Sequence, residues 1–267
     1  MTVGRVRACV VTGYGINADE ELLLALRMAG AQPARVHVRE LMDQPRLLAR
    51  SRILAFPGGF SFGDHLGSGK VFATMLRRGL STGLRDFVQD GGLVLGVCNG
   101  FQVLVKLGIL PNLSGSGDQE VSLIHNDSGK FEDRWVRLEF PATCASPWTR
   151  GLPALDVPVR HGEGKFVTRT PQVLAELESR GLIAARYVAP GGYPENPNGS
   201  LGNIAGICDA TGRIFGLMPH PEAFLFPENH PEWGSRAAAR PAPRVAIWPA
   251  GDGLRLFQNG VQAASGR

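Results

Sequence analysis

The chain has 267 residues, 43% of them apolar, enough to bury a full core in one large α/β domain. Its 28 basic and 24 acidic residues leave a formal charge of +4 with no basic run or aromatic-interleaved basic stripe, so nucleic acid is not an expected partner. There is no run of about 18 apolar residues and no leader-type apolar core, so no membrane partner is expected, and Cys9, Cys98, Cys144 and Cys208 lack both CxxC spacing and disulfide-framework density, which favours a reduced, cytoplasmic setting.

Residues 5–11 read as a buried strand, and Asn17 with Glu20 three residues on has the form of a capping box for a helix running to Ala29 and closed by Gly30. Residues 35–38 and 53–56 read as further strands, 82–89 as a helix, 93–97 as a strand and 99–107 as a helix. Strands separated by helices predict a parallel sheet covered on both faces. Beyond about residue 115 the pattern turns to strands at 135–140, 157–161, 183–188, 203–208 and 214–218, joined by turns rich in Gly, Pro and Asn. The expectation is a single domain over residues 1–267: a doubly wound, largely parallel α/β sheet of flavodoxin-like form with an antiparallel or mixed extension. It carries no internal repeat, and SRAAARPAPR at about 235–244 is expected to be a flexible surface loop.

Several short patterns have to be weighed against plainer readings. Gly13 to Ala18 matches GxGxxA between a strand and a helix, with Glu40 near the end of the next strand, and can be read as a dinucleotide fingerprint or as a glycine-rich βα turn; the turn is preferred. GSGK at Gly67 to Lys70 fails as a phosphate loop, because Asp64 stands where the first glycine belongs and Val71 replaces the magnesium-binding Ser or Thr. The six histidines form no HxH or HxxxH pair, so no metal site is expected. Asn-x-Ser at Asn112, Asn126 and Asn198 reads as a chance occurrence in a chain that stays in the cytosol.

The chemistry concentrates in two places. Gly96-Val97-Cys98-Asn99-Gly100 has the form G-x-C-x-G between an apolar strand and a helix, a nucleophile elbow with sulfur in place of oxygen. A cysteine there sits at a helix N-terminus, where unpaired N–H groups favour the reactive thiolate. A buried structural cysteine is the plain alternative; it suits Cys9 and Cys208 inside strands, whereas the glycines around Cys98 argue against it. In FGLMPHPEAF, His220 follows a strand, Pro219 and Pro221 keep it out of a helix, and Glu222 lies two residues on. Cysteine, base and orienting carboxylate are the parts of a covalent-catalysis triad. Backbone donors for an oxyanion are available at Asn99 and at the Gly58-Gly59 turn.

GVCNGFQVL with MPHPE resembles the class I glutamine amidotransferases. FPGGFSFGDHLGSGK, HGEGKF, YPENPNGSLGNIAGI and HPEWG narrow the resemblance to the glutaminase subunits of phosphoribosylformylglycinamidine synthase, from about Val10 to the C-terminus. The resemblance implies that Cys98, His220 and Glu222 remove ammonia from glutamine, that Gln102 helps to hold that substrate, and that His161-Gly162 belongs to a loop closing over it. It also implies that no cofactor binds this chain: ATP and Mg would sit on a synthetase large subunit that makes formylglycinamidine ribonucleotide in purine synthesis, and a small accessory protein would be an optional third partner. Other class I glutaminases share the triad but should lack the stretch 193–200. A peptidase or redox sensor could share the elbow without the His-x-Glu pair, and a noncatalytic module would not depend on Cys98.

Overall fold

The computed structural model describes residues 5–188, 195–238 and 250–266. The chain opens with β1 (Arg7–Thr12) and α1 (Asp19–Met28), whose Leu22, Leu23, Ala25 and Leu26 form its buried stripe. Next come β2 (Gln32–His37), α2 (Val38–Asp43), the single turn α3 (Arg46–Ala49) and β3 (Ile53–Phe56). α4 (Lys70–Gly79), α5 (Ser81–Gln89), β4 (Leu93–Val97) and α6 (Asn99–Leu107) complete the first half. The second half contains β5 (Val121–His125), β6 (Glu132–Glu139), β7 (Leu155–His161), β8 (Glu163–Thr168), α7 (Pro171–Ser179) and β9 (Ile183–Tyr187). It ends with β10 (Ile204–Cys208), β11 (Ile214–Leu217), α8 (Trp233–Ala238) and α9 (Leu254–Ala264).

Nine strands make one sheet in the order β2-β1-β3-β4-β11-β10-β9-β6-β7. The five from β2 to β11 are parallel, and every pairing from β11 onward is antiparallel. β5 and β8 form a separate antiparallel pair. The strands β3 (ILAF) and β4 (LVLGV) are buried along their whole length, as expected of central strands covered on both faces.

The order reverses after β1: the chain steps outward to β2 and then back to β3. Right-handed crossovers, the rule for such parallel connections, put α1 on one face and α2 to α5 on the other, and the segments leaving the carboxyl ends of β1 and β3 stay joined by an Ile16–Gly59 bridge. α1 is joined on its face by α9, while α4 packs on α2 and α6. The turns after β1 and β3, the elbow after β4 and the segment after β11 all leave the sheet at this edge.

Several boundaries differ from the sequence reading, each for a local reason. α1 starts at Asp19 without the Asn17 capping box, because the backbone N–H groups of Asn17 and Ala18 are accepted by the Gly58 carbonyl at 3.4 and 3.3 Å. Gly30 does follow the helix in the left-handed region, at φ 97°. The expected strand 35–38 begins earlier and stops at His37, whose ring accepts from the Arg39 N–H and so starts α2 at Val38. The glycine-rich run ending in Lys70 opens the unanticipated helix α4 after Gly69, at φ 73°. The expected loop at 235–244 is helical as far as Ala238; positions 239–244 lie outside the described residues, as do 193 and 194 of the family-distinguishing stretch.

Candidate active site

Cys98 is the link between β4 and α6. It has φ 51° and ψ −108°, a left-handed backbone that a non-glycine residue holds only under constraint. The constraint is visible on both sides. A Cβ on Gly96 would stand 2.7 Å from the Gly100 carbonyl oxygen, and a Cβ on Gly100 would stand 2.0 Å from that of Phe56, so neither flank tolerates a side chain. The Cys98 N–H donates to Leu217 O at 2.8 Å, fixing the elbow to the end of β11. Its thiol is buried, 6% exposed, and donates to the Arg160 carbonyl at 3.7 Å.

His220 arrives from the other side of that strand end. Its backbone N–H donates to Pro158 O at 2.8 Å, and the turn beginning at Pro221 folds Glu222 back under the ring. The His220 Nδ1 and Glu222 Oε1 are 2.6 Å apart and both side chains are buried. Nε2 is buried without a hydrogen bond, beside the Cys98 thiol. Burial alone would lower the pKa of His220; the Glu222 carboxylate and the Cys98 sulfur outweigh it and push it up to about 10. Trp135 packs against Phe224 and the His230 ring, with centroids 5.1 and 4.5 Å apart, and so anchors the segment that carries Glu222 to β6.

The Gly58-Gly59 turn touches both groups. A Cβ on Gly58 would lie 2.7 Å from His220 Cε1 and 3.4 Å from Cys98 Cβ. Its carbonyl is held by Asn17 and Ala18, and because C=O and N–H point oppositely in a trans peptide, the Gly59 N–H is turned away from α1. The GxGxxA segment is what clamps this turn: Gly15 O accepts from Phe60 N–H and Tyr14 O from Phe62 N–H, each at 2.8 Å. A Cβ on Gly15 would strike Phe60 O at 2.0 Å, so its glycine serves this close approach.

Asn99 is fully buried at the first turn of α6, where backbone N–H groups lack intrahelical acceptors. Its amide donates to Asp64 Oδ2 at 2.9 Å and Gln102 Oε1 at 3.0 Å, while its oxygen accepts from Ser61 N–H at 3.3 Å. Burial raises the Asp64 pKa despite the bonds from Gly69 and Asn99. Gln102 in turn donates to Glu163 O at 2.5 Å, tying α6 to the start of β8. His161 ends β7 and Gly162 joins it to β8, but both His161 ring nitrogens engage asparagines, so this turn offers a ligand backbone and not imidazole.

The resulting cleft, about 120 Å³, is lined by Asn17, Gly59, Phe60, Cys98, Phe131, Arg160 and His220. Sequence reasoning assigned nothing to Phe60, Phe131 or Arg160, and it placed Asn17 in a helix cap. Phe60 and Phe131 meet at 6.2 Å across the mouth, a long-range pairing with no local signal; Arg160 contributes its carbonyl, and a carbonyl has no residue signature. Among the described residues no group of three or more His, Cys, Asp or Glu is arranged to hold a metal ion.

Residues 5–262 match the family described as the CobB/CobQ-like glutamine amidotransferase domain. The phosphoribosylformylglycinamidine synthase subunit PurQ of Dehalococcoides mccartyi is 41% identical over 267 residues, covering 98% of this chain and 99% of its own. Its namesake from Methanococcus maripaludis is 41% identical over 236 residues, 85% of either chain. A chain in the structure of PurLQS from Thermotoga maritima matches with a TM-score of 0.70 at 28% identity, over 97% of this chain and 99% of that one. A glutamine amidotransferase from Thermotoga maritima, with a TM-score of 0.53 at 15% identity over 88% of this chain and 83% of its own, shares the fold. The chain belongs to the PurQ family, the glutamine amidotransferase subunits of phosphoribosylformylglycinamidine synthase.

Proposed function

We propose that Cys98 is the nucleophile with which this glutaminase component of phosphoribosylformylglycinamidine synthase opens glutamine, with His220 as proton carrier and Glu222 as the group that orients it. The supporting observation is the buried His220–Glu222 pair at 2.6 Å, its second ring nitrogen uncommitted beside a cysteine held at φ 51°. The Cys98 proton passes to His220 Nε2 and the sulfur attacks the side-chain carboxamide carbon. Negative charge collects on the carboxamide oxygen, for which the N–H groups of Gly59 and Asn99 are the candidate donors. His220 returns the proton to the departing nitrogen, releasing ammonia and leaving a γ-glutamyl thioester. It then takes a proton from water, whose oxygen adds to the thioester carbonyl; the C–S bond breaks, glutamate leaves, and His220 returns the proton to the Cys98 sulfur.

In this reading Gln102 and the backbone of the turn at Gly162 contact glutamine, and His161 positions that turn. The chain acts as one glutaminase domain. ATP, Mg and formylglycinamide ribonucleotide bind the synthetase large subunit, with or without a small accessory protein, and ammonia reaches them by an internal path, since ammonium in bulk water has no lone pair to attack with. The cytoplasm is the setting such a complex needs. No helix among the described residues is long and apolar enough to cross a membrane.

The reading is tested by reconstitution with the synthetase subunit, ATP, Mg and formylglycinamide ribonucleotide. Glutamine should support amidation only when this chain is added, with one glutamate released per amidine formed. Amidation from glutamine without the chain, or glutamate released with no link to amidation, would overturn it.

A further inference from the structure

Behind the cleft lies a buried polar cluster that the proposed chemistry does not use: His161, Asn126, Asn198 and Tyr187, all buried. We propose that Asn126 and Asn198 are positioning residues which hold His161 as the neutral imidazole with its proton on Nδ1, and thereby lock the β7–β8 turn against the catalytic pair. The proposal rests on the functional reading given above.

The tautomer follows from hydrogen-bond bookkeeping. His161 Nδ1 faces Asn126 Oδ1 at 3.1 Å, and Nε2 faces Asn198 Nδ2 at 3.4 Å. Neither amide can be turned around. Asn126 Nδ2 donates to the carbonyls of Lys130 and His161 at 2.9 and 2.8 Å, and its oxygen accepts from Gly164 N–H at 3.1 Å. Asn198 Nδ2 donates one hydrogen to Gly164 O at 2.9 Å and shares the other between the Tyr187 hydroxyl at 3.2 Å and His161 Nε2, and its oxygen accepts from the N–H and hydroxyl of Ser200 at 3.1 and 2.6 Å. An amide oxygen only accepts and an amide NH₂ only donates, so Nδ1 carries the hydrogen and Nε2 is bare. Of the Asn-x-Ser matches, those at Asn126 and Asn198 thus have a structural use.

Charge explains why this matters for the site. The groups facing His161 are His220 from the segment after β11, Arg134 and Glu132 from β6, and Tyr187 from β9 by way of Asn198. Glu132 sits opposite His161 in the ladder, but its carboxylate already engages Arg134 and Ser128. Burial first, then the His220 and Arg134 charges, push the His161 pKa down to about 3. A second imidazolium here would compete with the one His220 must carry. The clamp is also mechanical: a Cβ on Gly164 would be 2.4 Å from His161 Cε1, and Gln102 grips Glu163 O from the α6 side.

Asn198→Asp separates this role from plain support. A carboxylate offers Nε2 only acceptors, so the ring should gain a second proton while Asn126 keeps the first. Nitrogen-proton correlation spectra of the full chain should show His161 as the neutral Nδ1–H form in the native protein from about pH 5 to 8, and as imidazolium near neutrality in Asn198→Asp. Glutamate release in the complex should acquire an acid limb in that variant, about 10-fold lower one pH unit below the new pKa and recovering above it. Adding His161→Gln removes the ring and should remove the limb. An Nε2–H tautomer or an imidazolium at neutral pH in the native chain would overturn the proposal, and that reading needs no variant. So would an Asn198→Asp profile that keeps the native shape or is depressed equally at every pH. If Cys98→Ala still released glutamate, the functional reading would fail, whereas the spectra would still decide the His161 tautomer.

Discussion

Cys98→Ala should abolish glutamine-dependent amidation, by at least about 1,000-fold, while the reconstituted complex still accepts ammonium salts at high pH. No other residue lining the cleft carries a thiol or hydroxyl to take over the attack. Free ammonia enters after the glutaminase step and needs none of its groups. The exchange should leave the fold intact, because the Cys98 N–H bond to Leu217 O is backbone and the elbow glycines are untouched. Equal melting temperatures of variant and native chain, with the two activities measured side by side, check this. Loss of both activities in a folded complex would mean that Cys98 supports structure or the synthetase site.

Gly58→Ala should lower glutamine turnover by about 100-fold or more, at the moderate stability cost of about 1–3 kcal/mol that overpacking a buried site carries. Gly58 lies outside the left-handed region, so an alanine fits its backbone, and the strain comes only from its methyl in the site. The new methyl would stand 2.7 Å from His220 Cε1. That ring cannot swing aside freely, since Nδ1 is held by Glu222 at 2.6 Å in a buried setting. Displacing a proton carrier by even about 1 Å can cost this much in rate. The measurement is kcat for glutamate release beside a thermal melt. A native kcat would show that the ring is not confined as described, and a variant that no longer melts cooperatively would assign Gly58 to the fold.

The elbow was legible because it is local: five consecutive residues fix a strand end, a tight turn and a helix start, and β4, Cys98 and α6 appear where the pattern puts them. MPHPE was legible for the same reason, with two prolines confining one histidine. What the sequence could not reveal is contact across the chain. Asn17 looked like a helix cap because Glu20 stood at the right spacing, yet the acceptor for that helix end is Gly58 O, about 40 residues away in a different turn. GxGxxA was legible as a glycine-rich βα turn, but the purpose of its Gly15, which leaves room for Phe60 O, was not. The use of Asn198 was not legible in the stretch 193–200, because an asparagine's partners, here His161, Gly164 and Tyr187, lie on β7, β8 and β9, which only folding brings alongside.

The central claim is that the Cys98 sulfur bonds covalently to the γ-carbonyl of glutamine. It is tested most directly by acid-quenching the complex during turnover of isotopically labelled glutamine and mapping the label by peptide mass spectrometry. A γ-glutamyl group on the peptide containing Cys98, absent from Cys98→Ala, is the result predicted. Label on any other residue, or full turnover with no adduct at any quench time while Cys98→Ala remains active, would contradict it.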